Sequence, residues 1–399
     1  MIFYISVYFC YICCLLIIKK TINLKSLLCL TVFAIVYISF SGCTNQKEVK
    51  NDLIQIEVNS SYQEKEIKLE EVADIEYLQL ELDDDYLFAN EPHIVTSDKI
   101  IINRDGEVLI FSREGKPLLK FDRKGNGPGE YAYIEQLMHD EISDEIFIKY
   151  ADKIITYSSK GEYKRTIPLL GIIPNVFSQI VNYDSETFLI FDSNNVYSTP
   201  FSFISKKDGA VTDSIITSKG EPVMTYYFSG DFLIFSFQTF RIVKYGDGHL
   251  LSDFSVDTVY FLSKTKNLSP ILARTPQIRS MDPVIYLNSF VEAGNYGFVS
   301  TVRVENEGGR LPVTYLMRDK TTGSVFRQKI TINDYKEKLV NLSPKTIANT
   351  NNSKLGFITL NLDELKEANR ENKLSGKLKE IVEKSSEEGN DVYMLLHFK

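Results

Sequence analysis

One local pattern recurs along this chain and limits what it can fold into. An apolar strand leads into a short polar turn with glycine, and a second apolar strand follows. The pattern stands at Phe111-Ser-Arg-Glu-Gly115, Tyr157-Ser-Ser-Lys-Gly161, Ile204-Ser-Lys-Lys-Asp-Gly209 and Asp319-Lys-Thr-Thr-Gly323. A fifth copy, Val259-Tyr-Phe-Leu-Ser-Lys-Thr-Lys-Asn267, carries Asn where the others carry Gly, and Asn also tolerates the left-handed backbone of such turns. The turns lie 46, 48, 58 and 56 residues apart. That period is close to, or slightly above, the roughly 40 to 50 residues of one four-stranded propeller blade. Near the start, Ile75 to Leu82 alternates apolar and polar residues, the mark of a half-buried strand. Near the end, Leu355 to Leu360 and Val392 to Phe398 read as strands as well. Pairing the first with the last two would assemble a further blade and remove the open edge that invites aggregation. The expectation is an all-β, six-bladed β-propeller closed by its N- and C-terminal strands.

Composition agrees with that class. Hydrophobic residues make up 44% of the chain and aromatics 12%, enough for a sizeable core and incompatible with global disorder. One segment breaks the β pattern. Asp363 to Ser385 sets Leu365, Ala368, Leu374, Leu378, Ile381 and Val382 among many charges, partly at helical spacing. It reads as one or two short helices, interrupted near Ser375-Gly376, inserted in the closing blade and packed on its rim.

The N-terminus is different in kind. Met1 to Ile18 is apolar, Lys19, Lys20 and Lys25 are cationic, and Ser26 to Phe40 is apolar again before Ser41-Gly42-Cys43. A cationic stretch, an apolar stretch and small residues before a cut describe an export signal. Small residues directly before Cys43 resemble the lipobox of bacterial lipoproteins, although Phe40 stands where Leu is usual. An uncleaved membrane anchor is the other reading. The domain expectation is therefore a signal over residues 1–42, a lipidated Cys43 with a flexible tether over 43–65, and the propeller over 66–399. The extra apolar segment before Lys19 suggests a translation start nearer Leu16 to Ile18. Gln46-Lys47-Glu48 faintly resembles signals for surface display. All five cysteines fall at or before Cys43, so the body has neither a disulfide nor a thiolate site. Without residues 1–42 the chain keeps 42 Lys and Arg against 53 Asp and Glu, a net charge of −11. That balance argues against nucleic acid as a partner.

The glycine-rich loop after the first hairpin is the most distinctive stretch: Phe121-Asp-Arg-Lys-Gly125-Asn-Gly127-Pro128-Gly129-Glu130-Tyr131. Three glycines and a proline in five positions cannot continue a strand or sit within a helix. The hairpin followed by Gly-Asn-Gly-Pro-Gly-Glu-Tyr resembles the six-bladed β-propeller lipoproteins of Bacteroidota. Further points of resemblance are Asp74-Ile-Glu-Tyr77, Asp257-Thr-Val-Tyr260 with Leu268-Ser-Pro270, and Asn390-Asp-Val392. The resemblance implies a fold and an outer-membrane lipoprotein of the envelope, periplasmic or surface-facing; it implies no catalytic residue.

Candidate sites follow from the loop. Gly125, Gly127, Pro128 and Gly129 fix its shape. Arg104, Arg123, Glu130 and Tyr131 are the candidates for ligand contact; Glu130 bonding the loop backbone and Tyr131 packing between blades is the competing reading. A phosphate-binding role fails on context, since Pro128 interrupts the glycines and no helix or Lys-Ser/Thr follows. Asp83-Asp84-Asp85 is a solvated turn rather than a calcium loop, which needs more ligands. His93, His139, His249 and His397 are spread too widely for a metal motif, and no nucleophile elbow is present. The functional expectation is a lipid-anchored, non-enzymatic module, without cofactor, that binds a carbohydrate, peptide or envelope protein. The alternative is a calcium-dependent, lactonase-like hydrolase with its site in the propeller channel.

Overall fold

The computed structural model describes residues 53–81, 94–169, 179–192, 199–217, 226–229, 232–236, 240–253, 256–305, 311–347, 350 and 352–399. The signal segment, Cys43, Asp83 to Asp85 and His93 lie outside the described residues.

The described chain opens with β1 (Ile54–Glu57), β2 (Glu64–Lys68) and β3 (Ala73–Gln79). Five antiparallel sheets follow. Blade 1 holds β4 (Ile94–Val95), β5 (Lys99–Arg104), β6 (Glu107–Ser112) and β7 (Pro117–Asp122). Blade 2 holds β8 (Gln136–Asp140), β9 (Glu145–Tyr150), β10 (Lys153–Ser158) and β11 (Tyr163–Pro168). Blade 3 holds β12 (Gln179–Asn182), β13 (Thr187–Phe191), β14 (Phe201–Ser205) and β15 (Val211–Ile215). After a separate hairpin of β16 (Tyr226–Ser229) and β17 (Phe232–Ser236), blade 4 holds β18 (Ile242–Tyr245), β19 (Gly248–Leu251), β20 (Thr258–Leu262) and β21 (Leu268–Thr275). Blade 5 holds β22 (Ile285–Ala293), β23 (Tyr296–Arg303), β24 (Val313–Asp319) and β25 (Val325–Ile332), with β26 (Tyr335–Val340) paired to β25. The chain ends with helix α1 (Pro344–Ile347), β27 (Leu355–Leu360), helices α2 (Leu362–Arg370) and α3 (Gly376–Lys384), and β28 (Val392–Phe398).

The blade count corrects the sequence reading: five blades, not six. Each of the five recurring turns joins the third and fourth strands of one four-stranded blade. The ends do meet, β28 pairing with both β27 and β3, but they form a sheet of three strands. The reason is local. Where a blade would turn from its first strand straight into its second, the chain after β27 goes helical. Asn361 caps α2 by accepting the Glu364 N–H at 3.1 Å, and Asp363 and Glu364 suit the positive end of the helix. Leu362, Leu365, Ala368, Leu378 and Val382 bury one face of the helix pair in the core. Among the described residues no helix is long and apolar enough to cross a membrane.

The expected tether contains structure. β1 adds in parallel to β21, and β2 adds in parallel to β25, so residues 54–68 run along the outer edges of blades 4 and 5. The core is a series of sandwiches between neighbouring sheets. Separate clusters fill the spaces between the terminal sheet and blade 1, blades 1 and 2, blades 2 and 3, and blades 3 and 4. The largest joins blades 4 and 5, the terminal sheet and the two helices.

A shared turn chemistry explains the repeat. Ser112, Ser158, Ser205 and Ser263 open the first four turns, and each hydroxyl accepts backbone N–H groups of its own turn. Asp319 does the same in the fifth. The left-handed position is Gly115, Gly161, Gly209 and Gly323, but in blade 4 it is Lys266 (φ 60°), one residue before the expected Asn267. In three of the turns glycine is also needed for contact with the preceding sheet. A Cβ on Gly115, Gly161 or Gly209 would lie 2.9 Å from the Gln79 carbonyl oxygen, 2.8 Å from the Phe121 ring or 1.5 Å from the Pro168 carbonyl oxygen.

Glutamines on the first strands tie neighbouring blades. Gln136 accepts the Ile180 N–H at 3.0 Å and donates to the Ile180 carbonyl. Gln179 repeats this one blade on, accepting the Ile242 N–H at 3.0 Å and donating to its carbonyl at 2.9 Å. Each amide thus acts as a short rung of β-ladder between neighbouring sheets.

Candidate functional site

Antiparallel order places the β5–β6 turn and the β7–β8 connector at one edge of the sheets, so Arg104, Arg123, Glu130 and Tyr131 do share a face. Their side chains are largely engaged there. Asp105 (φ 50°) and Gly106 (φ 94°) form the two-residue turn, beside which the Arg104 Nε donates to Glu107 Oε2 at 3.0 Å. In the connector, the Gly125 N–H donates to the Tyr131 carbonyl (3.0 Å) and the Tyr131 N–H to the Arg123 carbonyl (3.2 Å). Glu130 accepts the Gly127 N–H at 2.8 Å, and a Cβ on Gly125 would stand 2.0 Å from that carboxylate. Gly129 (φ 75°) lies flat on Tyr163, where a Cβ would be 2.5 Å from the ring. Tyr131 is fully buried, and its hydroxyl donates to the Gly106 carbonyl at 2.9 Å. Burial pushes that phenol up to about 12. Tyr157 donates to the Gly129 carbonyl, and the Arg123 guanidinium reaches the Gly161 carbonyl at 3.1 Å. The loop is a fixed joint between blades 1 and 2, with its polar groups turned on one another.

What this joint leaves facing solvent is an aromatic and cationic patch. Tyr133, two residues past the loop, is 56% exposed and meets Tyr150 edge to face at 5.2 Å. The Lys153 ammonium lies 5.4 Å from the Tyr150 ring and 3.4 Å from the Glu130 carbonyl. Arg123, Lys124 and Asn126 of the loop are also exposed. Tyr133 lies in the β7–β8 connector and Tyr150 at the end of β9; they form no sequence motif, so only the fold pairs them.

The same edge of blades 4 and 5 carries buried charge that the sequence reading missed. Arg274 is 3% exposed, and its Nε donates to the Pro276 carbonyl at 3.2 Å. Its guanidinium also bonds the Ile285 carbonyl and stands 3.7 Å from Asp257, which accepts the Ile278 N–H. Arg274 therefore pins the connector into blade 5. Arg241 is equally buried, 4.9 Å over the Phe191 ring, and burial lowers its guanidinium to about 9 against the opposing charge of Asp253. It stays charged at neutral pH. Among the described residues no three His, Cys, Asp or Glu side chains stand close enough to hold a metal ion. His139 and His397 lie 3.1 Å from Asp144 and 3.2 Å from Glu76.

These features define an all-β, five-bladed propeller with an exposed aromatic and cationic patch at one edge of its sheets. The chain belongs to the DUF4934 family, a domain of unknown function whose pattern matches residues 53–397. Among solved structures it is similar to a protein of Bacteroides fragilis designated an exported protein, at 13% identity and a TM-score of 0.59. That match covers 87% of this chain and 99% of the other. A DUF4221 family member from Bacteroides vulgatus aligns at 11% identity and a TM-score of 0.46, over 82% of this chain and 98% of its own. No curated protein matches the chain. At these identities the likeness to solved structures concerns the fold alone.

Proposed function

We propose that this protein is a non-enzymatic binding module of the bacterial envelope, held at the outer membrane by a lipid on Cys43. It offers the edge of blades 1 and 2 to a carbohydrate, a peptide or a protein partner. The observation that carries the reading is the edge-to-face pair of exposed Tyr133 and half-buried Tyr150, with the Lys153 ammonium over the Tyr150 ring, next to a fixed joint. Aromatic faces bind apolar ligand surfaces at low entropic loss, and a rigid support keeps that loss small. The name of the Bacteroides fragilis relative is consistent with an exported protein.

The test is a thermal-shift and calorimetric screen of the full-length protein, in detergent, against glycan and peptide panels with and without calcium. A ligand at about a hundred times its dissociation constant adds about 2.7 kcal/mol of stability, well within detection. The expected result is a calcium-independent ligand whose binding is lost in Tyr133→Ala. Calcium-dependent lactone hydrolysis that survives Tyr133→Ala would overturn the reading in favour of an enzyme.

A further inference from the structure

The opposite edge of the sheets repays a comparison of successive junctions. Between blades 2 and 3, Lys206 follows β14 and reaches Asp140 at the end of β8, 2.7 Å away, with both side chains buried. The Lys206 ammonium also lies 5.4 Å and 5.3 Å from the Phe147 and Phe188 rings. Between blades 3 and 4 the backbone is built the same way. Gln179 occupies the place of Gln136, and Ser263 opens the turn as Ser205 does. Counting from these matched residues, Tyr183 stands where Asp140 stood, and Lys264 where Lys206 stood.

The exchange leaves this junction without its acid. Tyr183 donates to the Ser263 carbonyl at 2.8 Å and lays its ring 5.6 Å from that of His249. His249 is 5% exposed, and its Nδ1 has no hydrogen-bond partner. Lys244 lies directly opposite His249 across the β18–β19 ladder, half-buried. Among the described residues its ammonium has neither an ion-pair partner nor a hydrogen-bond acceptor. Burial and then the charge of Lys264 hold that ammonium below its usual range, while exposed Asp247 opposes them weakly. The remaining nearby acids are engaged. Asp184 accepts the Glu186 and Thr187 N–H groups, and Asp213 stands 3.8 Å from Lys266.

We propose that the blade 3–blade 4 junction is an anion site, in which carboxylate or phosphate oxygens of a ligand supply the counter-charge that Asp140 supplies one junction earlier. Lys244 and Lys264 supply the charge, and the neutral His249 imidazole supplies a polar wall. A half-buried cation without a counter-ion is costly, and an oxyanion that hydrogen-bonds it removes that cost. The site lies at the edge opposite the Tyr133 patch and does not depend on it.

The full-length protein would be titrated with sodium phosphate and with sodium glucuronate against sodium chloride at matched ionic strength. A saturable rise in Tm over chloride is expected with at least one. Phosphate alone would point to a phosphate ester, glucuronate alone to an acidic sugar. Lys244→Met, which keeps the apolar stem, should weaken binding roughly tenfold or more, and Lys264→Ala by roughly threefold, since one is half-buried and the other exposed. Lys244→Gln is the second variant should the first not fold. Lys206→Met should lower Tm and leave anion affinity unchanged. Tyr183→Asp, which installs the missing acid, should abolish binding. No rise over chloride with either salt, or an equal rise in both Lys244 variants, would overturn the proposal.

Discussion

Two neighbouring junctions of this propeller share one backbone template and differ in how their charge is resolved. Between blades 2 and 3 the buried lysine is neutralised from within, by Asp140. Between blades 3 and 4 a tyrosine takes the acid's place, and Lys244 and His249 face each other with no carboxylate between them. A junction with its own counter-ion is finished as a structural element. One that lacks it has donor capacity left over for a ligand. A repeat fold makes that distinction readable, because each junction is a control for the next.

The largest effect should come from breaking the closed junction. Asp140→Ala strands Lys206 in a buried site and should cost about 3–5 kcal/mol in urea denaturation. Asp140→Leu with Lys206→Met should recover most of that loss, because the uncompensated charge goes too. If the double variant is as unstable as the single one, the pair is not the element that closes the junction.

The open junction should announce itself in pH. Burial, and then the charge of Lys244, push His249 down to about 3 from its ordinary 6.5. Between those values the unfolded chain binds the proton that the folded one refuses, so this contribution is complete above about pH 6.5 and is lost as pH falls toward 3. The slope should approach about 1.4 kcal/mol per pH unit, the limit for one proton, and His249→Phe should flatten it. At the closed junction burial opposes ionisation of Asp140, yet the hydrogen bond and charge of Lys206 outweigh it and hold the carboxyl below its ordinary 3.8. Its contribution therefore persists above that value and goes only in stronger acid. Chemical denaturation at stepped pH separates the two.

A third junction, between blades 1 and 2, sharpens the contrast from the packing side. Gly129→Ala would force a side chain onto the Tyr163 ring at a φ of 75° and should cost roughly 2 kcal/mol. Tyr133→Ala, a few residues away on the exposed face, should change stability by no more than about 0.5 kcal/mol while removing ligand binding. Equal destabilisation by the two would mean that Tyr133 belongs to the joint.

Much of the repeat was legible from the chain. All five turns were visible because each combines a short polar stretch with a residue able to adopt the left-handed backbone, although in blade 4 that residue proved to be Lys266. The sixth blade was an overcount. The two C-terminal strands fall where they were expected and the N-terminal one runs over Ala73–Gln79 rather than Ile75 to Leu82, but the number of strands in a sheet depends on what lies between them, and here two helices intervene. Among the candidate residues, Glu130 and Tyr131 were conspicuous for the same reason that they are engaged: a loop this tight must find partners for its own polar groups. The Lys244–His249 pair left no signature, since neither residue belongs to a motif and its meaning depends on Tyr183, 61 residues before Lys244.

By itself the sequence determined the propeller class, the five turn positions and the helical interruption, all of which rest on periodicity and backbone preference within a few neighbouring residues. Tertiary structure decided the rest. Which lysine met an aspartate, which glutamine bridged two blades and which tyrosine remained exposed depend on contacts between residues tens of positions apart. Local chemistry cannot specify such contacts, because the energy of a buried charge or an unpaired donor is set by whatever the neighbouring blade places against it.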